Sequence, residues 1–179
     1  MALTIEDGTG IADADSFISL AEARVLAANF GLSMSDDDTT AEVQLRRGYF
    51  GLLVEEPQLQ GFRTFDAQTG IFPRKGVLSN CVKVDEESVP TSVKMAQISY
   101  ADAVNGGYGT NTVNTGEDLK SFTVNDVYSE VYKDSSSART NAIIQGVANA
   151  LYPLTIAGYA NSPCGKNQGL TGLTRTEFF

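Results

Sequence analysis

Residues 61–77 read GFRTFDAQTGIFPRKGV, a stretch in which Gly61, Gly70, Pro73 and Gly76 interrupt any helical or strand period. Phe62, Phe65, Ile71, Phe72 and Val77 nevertheless give it more apolar surface than a free linker carries. An irregular segment of this kind has to be covered, either by the helices on its two sides or by a neighbouring subunit. It also gathers Arg63, Arg74 and Lys75 in a chain whose net charge is -9. Whatever the fold, it must accommodate a non-repetitive, basic and apolar insertion.

The chain, at 179 residues and 42% hydrophobic, can build one ordinary core, and its composition shows no break. The expected organisation is one domain over 1–157 and an extended C-terminal tail at 158–179. The opening MALTIEDGTG lacks a basic leader and an apolar stretch, and no run approaches the roughly 18 apolar residues that cross a bilayer. A soluble, cytoplasmically made protein without a membrane partner is expected. Cys81 and Cys164 both fall in predicted loops and are expected to be free thiols. Histidine is absent, which removes the commonest general base near neutral pH and the commonest transition-metal ligand. No enzymatic function is expected.

Helical patterns bracket the insertion. Ser19 with Glu22 reads as a capping box opening a helix to about Phe30, with Leu20, Ala23, Ala27 and Phe30 on one face and Gly31 closing it. Thr39 with Glu42 repeats the pattern, and Ala41, Leu45, Tyr49, Leu52 and Leu53 form the next apolar stripe. Gly48 and Gly51 lie inside that stripe. Each costs about 1 kcal/mol relative to Ala, so another element is expected to approach closely there, or the last turn to be weakened. Pro90 opens a third helix, with Val93, Ala96, Tyr100 and Val104 on one face and Asn105-Gly106 at its end. A fourth begins near 135–137, carries Ile143, Val147, Ala150 and Leu151, and stops at Pro153.

Between the third and fourth helices, 105–118 reads as a loop and 119–132 as a hairpin about Asn125-Asp126. A two-residue turn would pair Val124 with Val127, Phe122 with Ser129 and Lys120 with Val131, placing Phe122, Val124, Val127 and Val131 on one face and Tyr128 on the more polar opposite one; Phe122, Val124, Val127 and Tyr128 are the hairpin residues expected to make contact. The tail is rich in Gly, Asn, Ser and Thr, with Leu170, Leu173, Phe178 and Phe179 as isolated anchors. The fold class expected is mainly α: a small bundle of about four helices with a protruding β-hairpin and an extended tail.

Motifs that could carry chemistry are incomplete. Asp36-Asp37-Asp38 lacks the Gly and the bidentate Glu of a calcium loop and suits the positive end of a helix dipole. Gly165-Lys166 lacks the upstream Gly and the following Ser or Thr of a phosphate loop. Tyr100, Tyr108, Tyr128 and Tyr132 have few basic residues beside them, and a chain of pI about 4.4 offers only Arg63, Arg74 and Lys75 as a local cluster. Salt bridges to acids of this chain or of a neighbour account for that cluster better than phosphate binding does.

Three segments together resemble the head-to-tail adaptors, or connector and head completion proteins, of tailed bacteriophages, a subset of which carries the label DnaT-like single-stranded-DNA-binding protein. They are LTIEDGTGIADADSFISLAEA, GFRTFDAQTGIFPRKGV followed by VPTSVKMAQ, and LKSFTVNDVYSEVY. Phe72 stands where a Trp is commoner in that family, and Asn125-Asp126 where Gly-Asp is usual. The resemblance implies a structural virion protein at the neck between capsid and tail. It would form a homo-oligomeric ring of about twelve copies that joins portal to tail or stopper protein. DNA would pass through without specific binding, and no cofactor would be needed. On this reading Arg63, Arg74, Lys75 and Phe72 would contact a subunit or the portal. The alternatives are a single-stranded-DNA-binding replication protein, as the label says, and a tail-terminator or stopper of the same neck.

Overall fold

A computed structural model describes residues 2–106, 121–124, 128–131 and 145–167. The chain divides into two compact units, Met1–Tyr108 with Ile144–Phe179, and Gly109–Ile143. The larger unit is mainly helical, as expected. Helix α1 (Leu20–Phe30) starts at Ser19, whose hydroxyl accepts from the Glu22 amide, and ends at Gly31 in the left-handed conformation. Only half of the capping box forms, because the Glu22 carboxylate turns away to Lys94 Nζ at 3.0 Å. Ala23 and Ala27 are buried, whereas Phe30, expected on the same face, is 63% exposed.

Helix α2 (Asp38–Gly51) has its cap two residues before the expected Thr39. Asp37 takes that role, accepting from the Thr40 amide and hydroxyl, and Asp38 pairs with Arg24, so both acids serve the helix start. A 3-10 segment (Leu52–Gln58) continues the chain, and helix α3 (Thr91–Asn105) follows Pro90, which stands at the N-cap position without a side-chain hydrogen bond. The glycines inside α2 mark the line where α3 crosses. A Cβ at Gly48 would lie 2.6 Å from the Gln97 carbonyl oxygen, and one at Gly51 would fall on the Tyr100 ring. Beside this crossing Gln97, fully buried, accepts from the Phe17 amide and donates to Ser16 Oγ and the Leu45 carbonyl. One side chain therefore fastens the N-terminal segment and α2 to α3. It leaves none of its own amide groups unsatisfied, which is the condition for burying it without a large penalty.

The insertion at 61–77 supplies core. Ile71, Phe72 and Val77 are fully buried in one cluster with Phe17, Tyr49, Leu52, Val93 and Ala96. Strands β1 (Phe62–Arg63) and β2 (Arg74–Lys75) pair antiparallel at its ends, and the Phe72-Pro73 peptide between them is cis. A second short hairpin, β3 (Leu78–Ser79) with β4 (Val82–Lys83), turns through Asn80 and Cys81, both at positive φ.

The smaller unit carries β5 (Ser121–Val124) and β6 (Tyr128–Val131). Val124 pairs with Tyr128, Phe122 with Glu130 and Ser121 with Val131, so the register is shifted by one from a turn at Asn125-Asp126 alone. A slip of one residue moves every partner to the opposite face. The expected row of Phe122, Val124, Val127 and Val131 is broken, because Val131 now stands opposite Ser121. Val127 itself, and the expected start of the fourth helix, lie outside the described residues.

Helix α4 (Gln145–Leu151) packs Val147 and Leu151 into the main cluster and passes into a 3-10 turn (Tyr152–Leu154). Residues 156–167, partly within the expected tail, are mostly helical. Thr155 caps α5 (Ile156–Asn161), its hydroxyl accepting from the Gly158 amide, and α6 (Pro163–Asn167) comes next. Composition conceals these helices because Gly158 and Gly165 are there for close packing: a Cβ on either would strike the carbonyl of Tyr152 or Tyr159. Cys81 and Cys164, expected free, form a disulfide with Cα atoms 5.7 Å apart and a sequence separation of 83. A separation of that length leaves no local signal. The anchors Leu170, Leu173, Phe178 and Phe179 lie outside the described residues.

Candidate functional site

Arg74 is the strut of the insertion. Only 4% of its side chain is exposed, and its guanidinium donates to the carbonyls of Gln60, Gly61 and Ile71 and to Glu56 Oε1 at 3.1 Å. Arg63 meets the same carboxylate in a two-pronged arrangement, Nε to Oε1 at 2.8 Å and a terminal nitrogen to Oε2 at 2.6 Å, while its other terminal nitrogen donates to the Gln68 carbonyl. Gln68, also buried, holds the carbonyls of Gly70 and Pro73. Hydrogen bonding from Arg63 lowers the Glu56 pKa, and Glu56 in turn raises that of Arg63. Arg74 moves the other way although it shares the partner, because burial acts on it more strongly than the ion pair does.

The expected contact set therefore separates. Phe72 is fully buried, and Arg63 and Arg74 are spent on Glu56 and on loop carbonyls. These three support the insertion from within. Lys75 is different: it is half-buried, has no ion pair among the described residues, and stands opposite Phe62 in the β1–β2 register. Phe62 is 65% exposed. The β1–β2 pair thus presents, side by side, an aromatic ring and an ammonium with no carboxylate partner among the described residues.

A second surface of the same make-up lies on α2 and its 3-10 continuation. Because α2 buries Ala41, Leu45, Gly48 and Tyr49, its opposite face carries Val43, Arg47 and Phe50, and Val54 extends the stripe at spacings of four, three and four. Phe50 is half-exposed, and its ring stands edge-on to Tyr49 with centroids 5.5 Å apart. Arg47 is exposed without an ion pair among the described residues, whereas its neighbour Arg46 pairs with Asp15 at 2.6 Å. The sequence does carry a signal for this surface. Val43, Phe50 and Val54 are large apolar residues at positions the buried stripe does not use.

Among the described residues most cations are neutralised at home: Arg24, Arg46, Arg63, Arg74, Lys83 and Lys94 all have carboxylate partners. Among the described residues Arg47, Lys75 and Lys166 do not, and the first two adjoin exposed phenylalanines. An exposed ring beside a free cation is the unit that single-stranded nucleic acid uses, the ring for a base and the cation for a phosphate.

Residues 1–171 match one protein-family model, described as "Putative DnaT-like ssDNA binding protein". The chain belongs to this family. No curated protein and no solved structure matches it. The match overturns the adaptor reading. A family described by single-stranded-DNA binding replaces the virion ring joining portal to tail, the neck location, the portal and stopper as partners, and the passage of DNA without binding. The net charge of the whole chain is a poor guide here. Screening confines electrostatics to about 8–10 Å at ordinary ionic strength, so local patches decide what a phosphate meets.

Proposed function

We propose that this chain binds single-stranded DNA, without turnover, through the Phe62–Lys75 and Arg47–Phe50 surfaces. The observation that carries the reading is the family match over residues 1–171. The two surfaces support it physically, since they combine exposed rings with cations that no carboxylate among the described residues neutralises. Base stacking would contribute about 1–3 kcal/mol per ring, and phosphate contacts would be few.

The scarcity of free cations makes the reading quantitative. With Arg47 and Lys75 as phosphate partners, log K should fall against log salt with a slope near -1.4, from about -0.7 per phosphate neutralised on a single strand. Fluorescence anisotropy of a labelled oligothymidylate, titrated at several salt concentrations, measures both affinity and slope. Lys75→Ala should weaken binding and flatten the slope by roughly 0.7. Phe62→Ala should weaken binding and leave the slope alone. No association of the wild-type protein at tens of micromolar and low salt would sink the proposal.

A further inference from the structure

A cleft of about 170 Å³ opens between the β3–β4 turn and the segment running from the 3-10 turn at Tyr152 through α5 to α6. Leu78 and Asn80 form one side, and Tyr152, Tyr159, Asn161 and Ser162 the other. We infer that it is a subsite for a single unstacked nucleobase, an inference that rests on the single-stranded-DNA reading and locates one base within it.

The walls are already fixed in place. Gln60 Nε2 donates to the carbonyls of Leu78 and Thr155, and Gln60 Oε1 accepts from the Leu78 amide, joining the two sides at their base. Leu59 and Thr155 form an antiparallel bridge beside them. The Cys81–Cys164 disulfide ties the residue after Asn80 to the residue after Pro163. A cleft held at both ends needs little ordering when a ligand enters, which is the condition for useful affinity from few contacts.

The lining suits a flat heterocycle with a polar edge. Tyr152 is 48% exposed, and its hydroxyl accepts from Asn161 Nδ2 at 3.2 Å, which holds the ring. Tyr159 is half-buried, and its hydroxyl has no hydrogen bond among the described residues. The same holds for the side-chain amide of Asn80 and for Asn161 Oδ1. Unused amide donors and acceptors beside aromatic faces match the mixed donor and acceptor pattern of an exposed base edge. Ser162 contributes shape only, because its hydroxyl donates to the Tyr159 carbonyl and accepts from the Gly165 amide.

The test is photo-crosslinking of wild-type protein to an oligothymidylate carrying 5-iodouracil, with the attachment mapped by mass spectrometry. Attachment at Tyr152 or Tyr159 is expected. Tyr152→Ala, checked for native circular dichroism, should weaken oligonucleotide binding roughly 5- to 150-fold, the range of one lost stack. Attachment confined to Phe50, Phe62 or their neighbours would overturn the cleft and leave the broader function standing. Loss of the Tyr152 or Tyr159 crosslink to equimolar thymidine monophosphate would also overturn it, by showing a mononucleotide site. Absence of any oligonucleotide binding would overturn both.

Discussion

Replacing Arg74 by Met keeps an unbranched apolar stem and removes the guanidinium fork. The structure states what is lost: bonds to the carbonyls of Gln60, Gly61 and Ile71 at 2.9, 2.7 and 3.3 Å, and the contact with Glu56 at 3.1 Å. Breaking a buried ion pair costs about 3–5 kcal/mol when the surviving charge is left alone. Glu56 is not left alone, because Arg63 still grips both of its oxygens. The electrostatic penalty is therefore at the low end, and the three carbonyls, each short of a donor, contribute about 1 kcal/mol apiece. A loss of about 3–4 kcal/mol is expected. Urea unfolding followed by circular dichroism should show the midpoint falling by about 1.5–2 M, taking a slope near 2 kcal/mol/M. Arg74→Lys should recover only part, since an ammonium cannot reach the same acceptors in one plane. A loss under about 1 kcal/mol for Arg74→Met would refute the reasoning, and Arg74 would then be a surface cation in all but position.

The same interior yields two further predictions. The Glu56 carboxyl is held below its ordinary value of 4.5 by the hydrogen bond from Arg63; a folded pKa below the unfolded one contributes stability above the unfolded value, and that contribution disappears as pH falls through the folded pKa. Urea midpoints measured from pH 7 down to pH 3 should therefore drop less steeply for Glu56→Gln than for the wild type, and parallel curves would exclude this role. Gly48→Ala gains about 1 kcal/mol of helix propensity but sets a methyl 2.6 Å from the Gln97 carbonyl oxygen, a backbone atom with little freedom to move. Overpacking of that kind costs about 1–3 kcal/mol, so thermal unfolding should show a net loss, and a gain would mean that α2 and α3 can separate freely.

Much of the helical frame is legible in the sequence, because it depends on local chemistry. Ser19 caps through its own turn, Gly31 takes the left-handed closing position, and Gly48 and Gly51 announce a close crossing by sitting where helix formers belong. The insertion is half legible. Its apolar residues demand cover, and Ile71, Phe72 and Val77 receive it, but sequence cannot say whether Arg74 faces a neighbour or four acceptors of its own chain. That distinction depends on Gln60, Gly61 and Glu56 being brought together by tertiary packing. The C-terminal helices are hidden for a related reason: glycines at 158 and 165 look like flexibility in composition and act as clearance in space. Of the candidate surfaces, Lys75 is legible as part of a basic cluster but not as the member of it that no carboxylate among the described residues pairs with. Arg47 with Phe50 is masked because the helical period of α2 brings out its buried side.

The disulfide between Cys81 and Cys164 also changes what a cut in the backbone can do. Both ends of the excursion Gly109–Ile143 lie between these cysteines, so the smaller unit belongs to a covalent ring together with α3 and α4. A protease that nicks the chain anywhere from 82 to 163 produces two termini and still one molecule. Fragments separate on a gel only after a reductant is added. The larger unit can lose the continuity of its chain on one side of the smaller unit and keep every one of its helices attached.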